Sequence, residues 1–181
     1  MTKVQIKTGL PYIGLPIIMA LLLVLRIGHL NAFVLLRYEL IIFFGYIAAV
    51  IDAKSKQIPN LLVILMIVSW VIISIPMLYF DFTSSIPLLI DSGLGFVISG
   101  GLFLLIYLIS RKGLGGGDVK FMSAAGLYLG MSGSLTAILL GSILASLVGL
   151  TLILLKKIGR KDTIPLAPFL YVGILAVSLS V

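Results

Sequence analysis

Long apolar runs separated by short charged links make up this chain, and that alternation decides what it can fold into. Seven runs can be marked, over residues 10–25, 39–51, 60–80, 86–110, 119–131, 135–155 and 164–181. A helix needs about 20 apolar residues to cross the hydrocarbon core of a bilayer. The second and fifth runs are short for this. The second is expected to begin nearer Phe33, and the fifth to begin below the bilayer surface. Of the 181 residues 61% are hydrophobic, against about half in a soluble domain. So much apolar surface cannot be hidden inside the chain itself, so lipid must be its solvent. The expected fold class is all-α, a polytopic transmembrane helical bundle of about seven spans with a cytoplasmic N-terminus. Residues 1–181 read as a single integral-membrane domain. Lys3 and Lys7 precede the first run and Arg26 closes it without a small-residue cleavage site, so it reads as a retained helix.

The formal net charge is +7. On a soluble surface this would suggest nucleic acid. Here the cations lie between apolar runs, so the bilayer is the expected partner and nucleic acid is not. With seven spans, one face receives Lys3, Lys7, Lys54, Lys56, Arg111, Lys112, Lys120, Lys156, Lys157, Arg160 and Lys161. The other receives Arg26 and Arg37, so the count is eleven against two. The richer face should be cytoplasmic. The absence of cysteine excludes disulfides, a thiol nucleophile and a cysteine-bound metal. No metal and no cofactor are expected. Gly126 with Gly130, and Gly141, Ala145 and Gly149 after them, read as close helix packing.

Only six carboxylates are present, and ionisable groups near a membrane are informative because they are expensive there. Glu39, Asp81 and Asp91 fall at the outer side. Asp162 reads as a loop charge beside Arg160 and Lys161. Asp52 ends one apolar run, and Asp118 follows Gly115, Gly116 and Gly117 and opens another. Both aspartates therefore sit at similar depth near the inner face. Two carboxylates brought together can divide general-base and general-acid roles around one water. That suffices for peptide hydrolysis without metal, thiol or serine–histidine pair. The glycines would leave open backbone for an extended substrate segment to approach. Pro59 would start the next helix. Each aspartate's own helix end suggests an ionised Asp118 base and a protonated Asp52 acid.

The alternatives are a small transporter or channel using Asp52 and Asp118 to bind a cation, and a non-catalytic scaffold. The first predicts charge nearer mid-membrane. The second leaves the glycine–aspartate loop unexplained. His29 lies at the wrong face, and Trp70 and Ser123 read as packing residues. Lys120 is a candidate for positioning substrate. Pro165 and Pro168 are expected to bend the last helix beside the site, with Pro168 needing a break or neighbouring partners.

At these residues the chain resembles the prepilin peptidases, a family of GxGD-type membrane aspartic proteases. Asp52 with Ile58-Pro59-Asn60 resembles the family's first aspartate motif. Gly115 to Lys120, continuing to Leu129-Gly130, resembles its GxGD motif. Ile164-Pro165-Leu166-Ala167-Pro168-Phe169-Leu170 resembles its C-terminal segment. The likeness covers about residues 15–175. It implies an aspartic endopeptidase of the cell's inner (plasma) membrane that removes a basic leader, after glycine, from type IV prepilin-like or pseudopilin precursors. Asp52 and Asp118 are then the catalytic pair, and Gly115, Gly116, Gly117, Lys120, Pro59 and Pro168 the substrate-binding candidates. Many relatives carry a cysteine-containing region linked to N-methylation. Its motif is missing here, so the expectation is a peptidase without methyltransferase activity.

Overall fold

The computed structural model describes residues 19–20, 24, 31–110, 113–159 and 162–180. The regular structure among them is helical. Five helices follow in order: α1 Ala32–Ser55, α2 Asn60–Phe80, α3 Phe82–Ile109, α4 Gly116–Leu154 and α5 Ala167–Ser180. The first four are long and apolar enough to cross a membrane, whereas α5 is shorter. Most of the run over 10–25, with Arg26 and His29, lies outside the described residues, as do Lys3, Lys7, Arg111, Lys112, Arg160 and Lys161.

Helix ends follow local chemistry. Asn31 Oδ1 accepts the Phe33 N–H at 3.1 Å, so α1 begins at Ala32, near the expected Phe33. Its other end is Lys56, in the left-handed conformation (φ 53), with its N–H bonded to the Asp52 carbonyl. Pro59, in extended conformation, precedes α2. Only Asp81 separates α2 from α3. Its N–H bonds to the Met77 carbonyl, and its carboxylate accepts the Ser84 N–H at 3.2 Å. Hydrogen bonds with Ser84 hold the Asp81 carboxyl below its ordinary pKa. This cap starts α3 at Phe82, earlier than the run over 86–110 suggests.

Two helices were expected over 119–131 and 135–155. Instead α4 is interrupted at one residue, Gly130 (φ 71, ψ −175). Unbroken, 39 residues would reach about 58 Å, roughly twice the bilayer's apolar core. Contacts show that the chain turns back there. The first limb, 116–129, runs with α2: Lys120 Nζ meets Asn60 Oδ1 at 2.9 Å, and Tyr128 OH meets the Met66 carbonyl at 2.5 Å. It runs against α1, whose Arg37 reaches the carbonyls of Leu127 and Tyr128. Helix α5 also runs against α1, from Ala167 beside Asp52 to Ile174 beside Gly45. The second limb, 131–154, runs against α5, with Gly133 near Val177, Gly141 near Leu170 and Gly149 near Ile164. The two limbs are therefore antiparallel.

So tight a reversal strips backbone groups of their helical partners, and lipid offers none. Two charged side chains replace them. Arg37 Nη2 lies 3.0 and 2.9 Å from the carbonyls of Leu127 and Tyr128, and 2.9 Å from Ser92 Oγ. Asp91 Oδ1 accepts the Met131 N–H at 3.0 Å. Each charge also opposes the dipole at its helix end. Arg37 is thus a buried partner of the backbone, not the outer surface cation that its place in the sequence suggested. Gly130 is likewise more than a packing residue. Its φ is positive, and a Cβ there would strike the Asp91 carboxylate. Gly126 does pack closely, against the Gly95 backbone.

Phe103, Phe121, Met122, Tyr128 and Met66 fill the centre of the bundle. The outside is apolar too: Leu61, Ile72, Val97 and Leu108 are each more than 60% exposed. Such a surface needs lipid around it. Gly130→Ala is expected to lower stability by about 2 kcal/mol or more, read as a lower unfolding temperature in detergent. Gly93→Ala, at a helical site with open space around it, should leave that temperature unchanged or raise it.

Candidate active site

Asp52 lies in the last turn of α1 and is buried, 5% exposed. Asp118 lies in the first turn of α4, partly buried. The links around them hold no regular structure, and Pro59 and the glycines mark where helices resume. Both side chains line one cavity of about 230 Å³, with Lys56, Gln57, Ile58 and Gly115–Gly117. A larger lobe of about 480 Å³ shares Asp52, Lys56, Gly115 and Asp118. Gly113, Leu114 and the segment 162–166 wall it on the other side.

The carboxyl groups have different surroundings. Asp52 Oδ2 accepts the Ala167 N–H at 3.0 Å. Ala167 is the first residue of α5, so this N–H is one of the groups that a helix start leaves without a partner. Asp52 therefore caps α5, and the positive end of that helix favours an anion on it. Asp118 Oδ1 is buried and has no hydrogen-bond partner. An oxygen in that state suits the neutral, protonated carboxyl. Helix α5 thus brings its N-terminus to Asp52, opposite in sign to the C-terminal dipole of α1.

The glycines also act differently than expected. None of Gly115, Gly116 and Gly117 has a positive φ, and Gly116 and Gly117 already belong to α4. They supply space rather than unusual backbone. A Cβ on Gly115 would sit 2.9 Å from Asp118 Oδ2, and one on Gly117 would sit 3.2 Å from Ile58. Nothing lies within 4 Å of a Cβ on Gly116, which leaves that wall open.

Lys120, Pro59 and Pro168 are not among the residues lining either lobe. The Lys120 ammonium is turned to Asn60. Pro168 sits in the first turn of α5, where no N–H is required, so it neither breaks nor bends that helix. Pro165 lies before the helix and lines the larger lobe. Asp162 lines that lobe too and accepts the Gly159 N–H at 2.7 Å. Its expected companions Arg160 and Lys161 lie outside the described residues. The sequence reading overlooked the Ala167 N–H and Lys56. Pro168 held a signal for the first, because proline favours the opening turn of a helix.

The model of the type IV leader peptidase family matches residues 39–150, a stretch that contains both Asp52 and Asp118. The chain belongs to that family. A prepilin leader peptidase/N-methyltransferase of Xanthomonas campestris pv. campestris is 28% identical over 124 residues, 68% of this chain and 42% of that protein. One from Aeromonas hydrophila is 31% identical over 80 residues, 44% of this chain and 28% of that protein. The chain thus spans less than half the length of these curated relatives. No solved structure matches it.

The unequal surroundings lead to opposite stability effects. Asp52→Ala should destabilise the fold by about 1 kcal/mol, because the Ala167 N–H loses its acceptor. Asp118→Asn should leave stability unchanged or raise it, because Asp118 Oδ1 has no hydrogen-bond partner to lose and the amide carries no charge to bury. Thermal unfolding of the two variants in detergent checks the contrast.

Proposed function

We propose that this protein is a membrane aspartic endopeptidase that cuts the basic leader from type IV prepilin-like or pseudopilin precursors. The cut follows a glycine and lies at the cytoplasmic edge of the inner membrane. One observation carries this reading: Asp52 and Asp118, 66 positions apart, line the same cavity at one end of the bundle. Membership of the type IV leader peptidase family supports it. So do Lys54, Lys56, Lys120, Lys156 and Lys157, which lie at the aspartate end and suit a cytoplasmic face. Seven spans with a cytoplasmic N-terminus belong to the same proposal.

In this mechanism the ionised Asp52 takes a proton from a water molecule as the water oxygen attacks the scissile carbonyl carbon. The protonated Asp118 gives its proton to the carbonyl oxygen, forming a neutral tetrahedral diol. Asp52 then passes its proton to the leaving nitrogen as the C–N bond breaks. Asp118 recovers a proton from the hydroxyl as the carboxyl product forms. Neither step changes the net charge of the cavity, which matters where little water is present. The substrate's apolar helix stays in lipid while its charged leader remains in water. The cut then falls where the aspartates meet the interface. Gly115–Gly117 leave room for the substrate backbone, and a glycine before the cut fits the narrow lobe beside Ile58.

A purified preparation in detergent would be given a peptide with a basic leader, a glycine and an apolar helix. Wild type should cut after the glycine. Asp52→Asn and Asp118→Asn should each lose at least about 100-fold in kcat/KM, with the fold intact by circular dichroism. Undiminished cutting by either variant would remove the pair from the mechanism.

A further inference from the structure

Lys56 lines both lobes of the cleft, between the two aspartates and the segment before α5. By sequence it is one more anchor on the inner face. Two observations set it apart. Its backbone is left-handed, with φ 53, the helix-terminal conformation that glycine adopts most readily. Its side chain also crosses to another element: Nζ lies 2.6 Å from the Thr163 carbonyl and 3.4 Å from Thr163 Oγ1.

Thr163 belongs to the segment 162–166, which walls the larger lobe and runs directly into Ala167. The Ala167 N–H is the donor to Asp52. The Lys56 N–H bonds in turn to the Asp52 carbonyl. One turn of α1 therefore grips one short stretch of chain at two points. Lys56 holds residue 163, and Asp52 holds residue 167. A donor held in place this way loses little freedom when it meets its acceptor.

We propose that Lys56 is a positioning residue whose ammonium clamps Thr163 and so keeps the Ala167 N–H aimed at Asp52. This rests on the peptidase reading for its catalytic consequence. Among the described residues, the charged groups that line the two lobes with Asp52 are Asp118 from α4, Asp162 from the segment before α5, and Lys56 itself. The link into α2 contributes only the uncharged Gln57 and Ile58. When the clamp is lost, the Asp52 anion loses its aligned donor. The pair then takes up its second proton at higher pH, and the general base is depleted under mildly acidic conditions.

The test is the pH profile of kcat/KM for wild type, Lys56→Gly, Lys56→Arg, Ala167→Pro and the Lys56→Gly/Ala167→Pro double variant. Glycine relaxes the left-handed backbone, so Lys56→Gly should keep or raise the unfolding temperature. Its acidic limb should still move up by about half a pH unit. Arginine should restore the limb. Ala167→Pro removes the N–H at a position that suits proline, and should move the limb by itself. Adding Lys56→Gly to it should then move the limb no further. An unmoved limb in Lys56→Gly overturns the proposal. So do additive shifts in the double variant, because Lys56 would then be acting through its charge alone. Infrared titration of the carboxylates in wild type and Lys56→Gly should show the same displacement. That readout judges the clamp even if wild type fails to cut the peptide, a result that would sink the peptidase reading alone.

Discussion

The hydrogen bond between the Ala167 N–H and the Asp52 carboxylate joins the first described long helix to the last one. It caps α5, closes the bundle at its charged end and makes the two aspartates unequal. A carboxylate would be a poor guest at the C-terminus of α1 if only that helix acted on it. Coming against the N-terminus of α5 changes its surroundings. The same contact thus caps a helix and sets an N–H donor on a carboxylate that lines the cavity, and neither effect can be read from either helix alone.

A second constraint operates at the opposite end. In lipid, no water rescues a backbone group left without a partner. The reversal at Gly130 exposes carbonyls of one limb and an N–H of the next. Arg37 and Asp91 each answer one side of that problem. Charged residues in this chain thus serve backbone groups at both ends of the bundle. At the Gly130 end they meet backbone groups of the two limbs of α4, and at the other end Asp52 meets that of α5 and also lines the cavity.

Much of this was legible in the residues. Unbroken apolar runs announce membrane helices, and α2 over Asn60–Phe80 coincides with its run. Asp52 and Asp118 could be paired from their place at the ends of two runs, because depth in a bilayer follows from distance along a helix. What escaped the reading involves contacts between distant segments. Arg37 looked like a surface cation because nothing local shows that the carbonyls of Leu127 and Tyr128 fold onto it. Gly130 looked like a packing glycine because the spacing to Gly126 is the same in a helix and before a break. The donor that meets Asp52 escaped because local dipoles were weighed without α5. Five of the seven expected runs fall in the four long apolar helices, because the two limbs of α4 hold two of them.

The connections at the two ends of the bundle differ in kind. A single residue, Asp81, joins α2 to α3, and a single residue, Gly130, joins the limbs of α4. At the aspartate end, twelve residues, Leu155 to Leu166, join α4 to α5, and the turn from α1 to α2 takes four, Lys56 to Pro59. Short links at one end and long ones at the other put most of the chain that connects the described helices beside the cavity, so that connecting segments as well as helix ends form its rim.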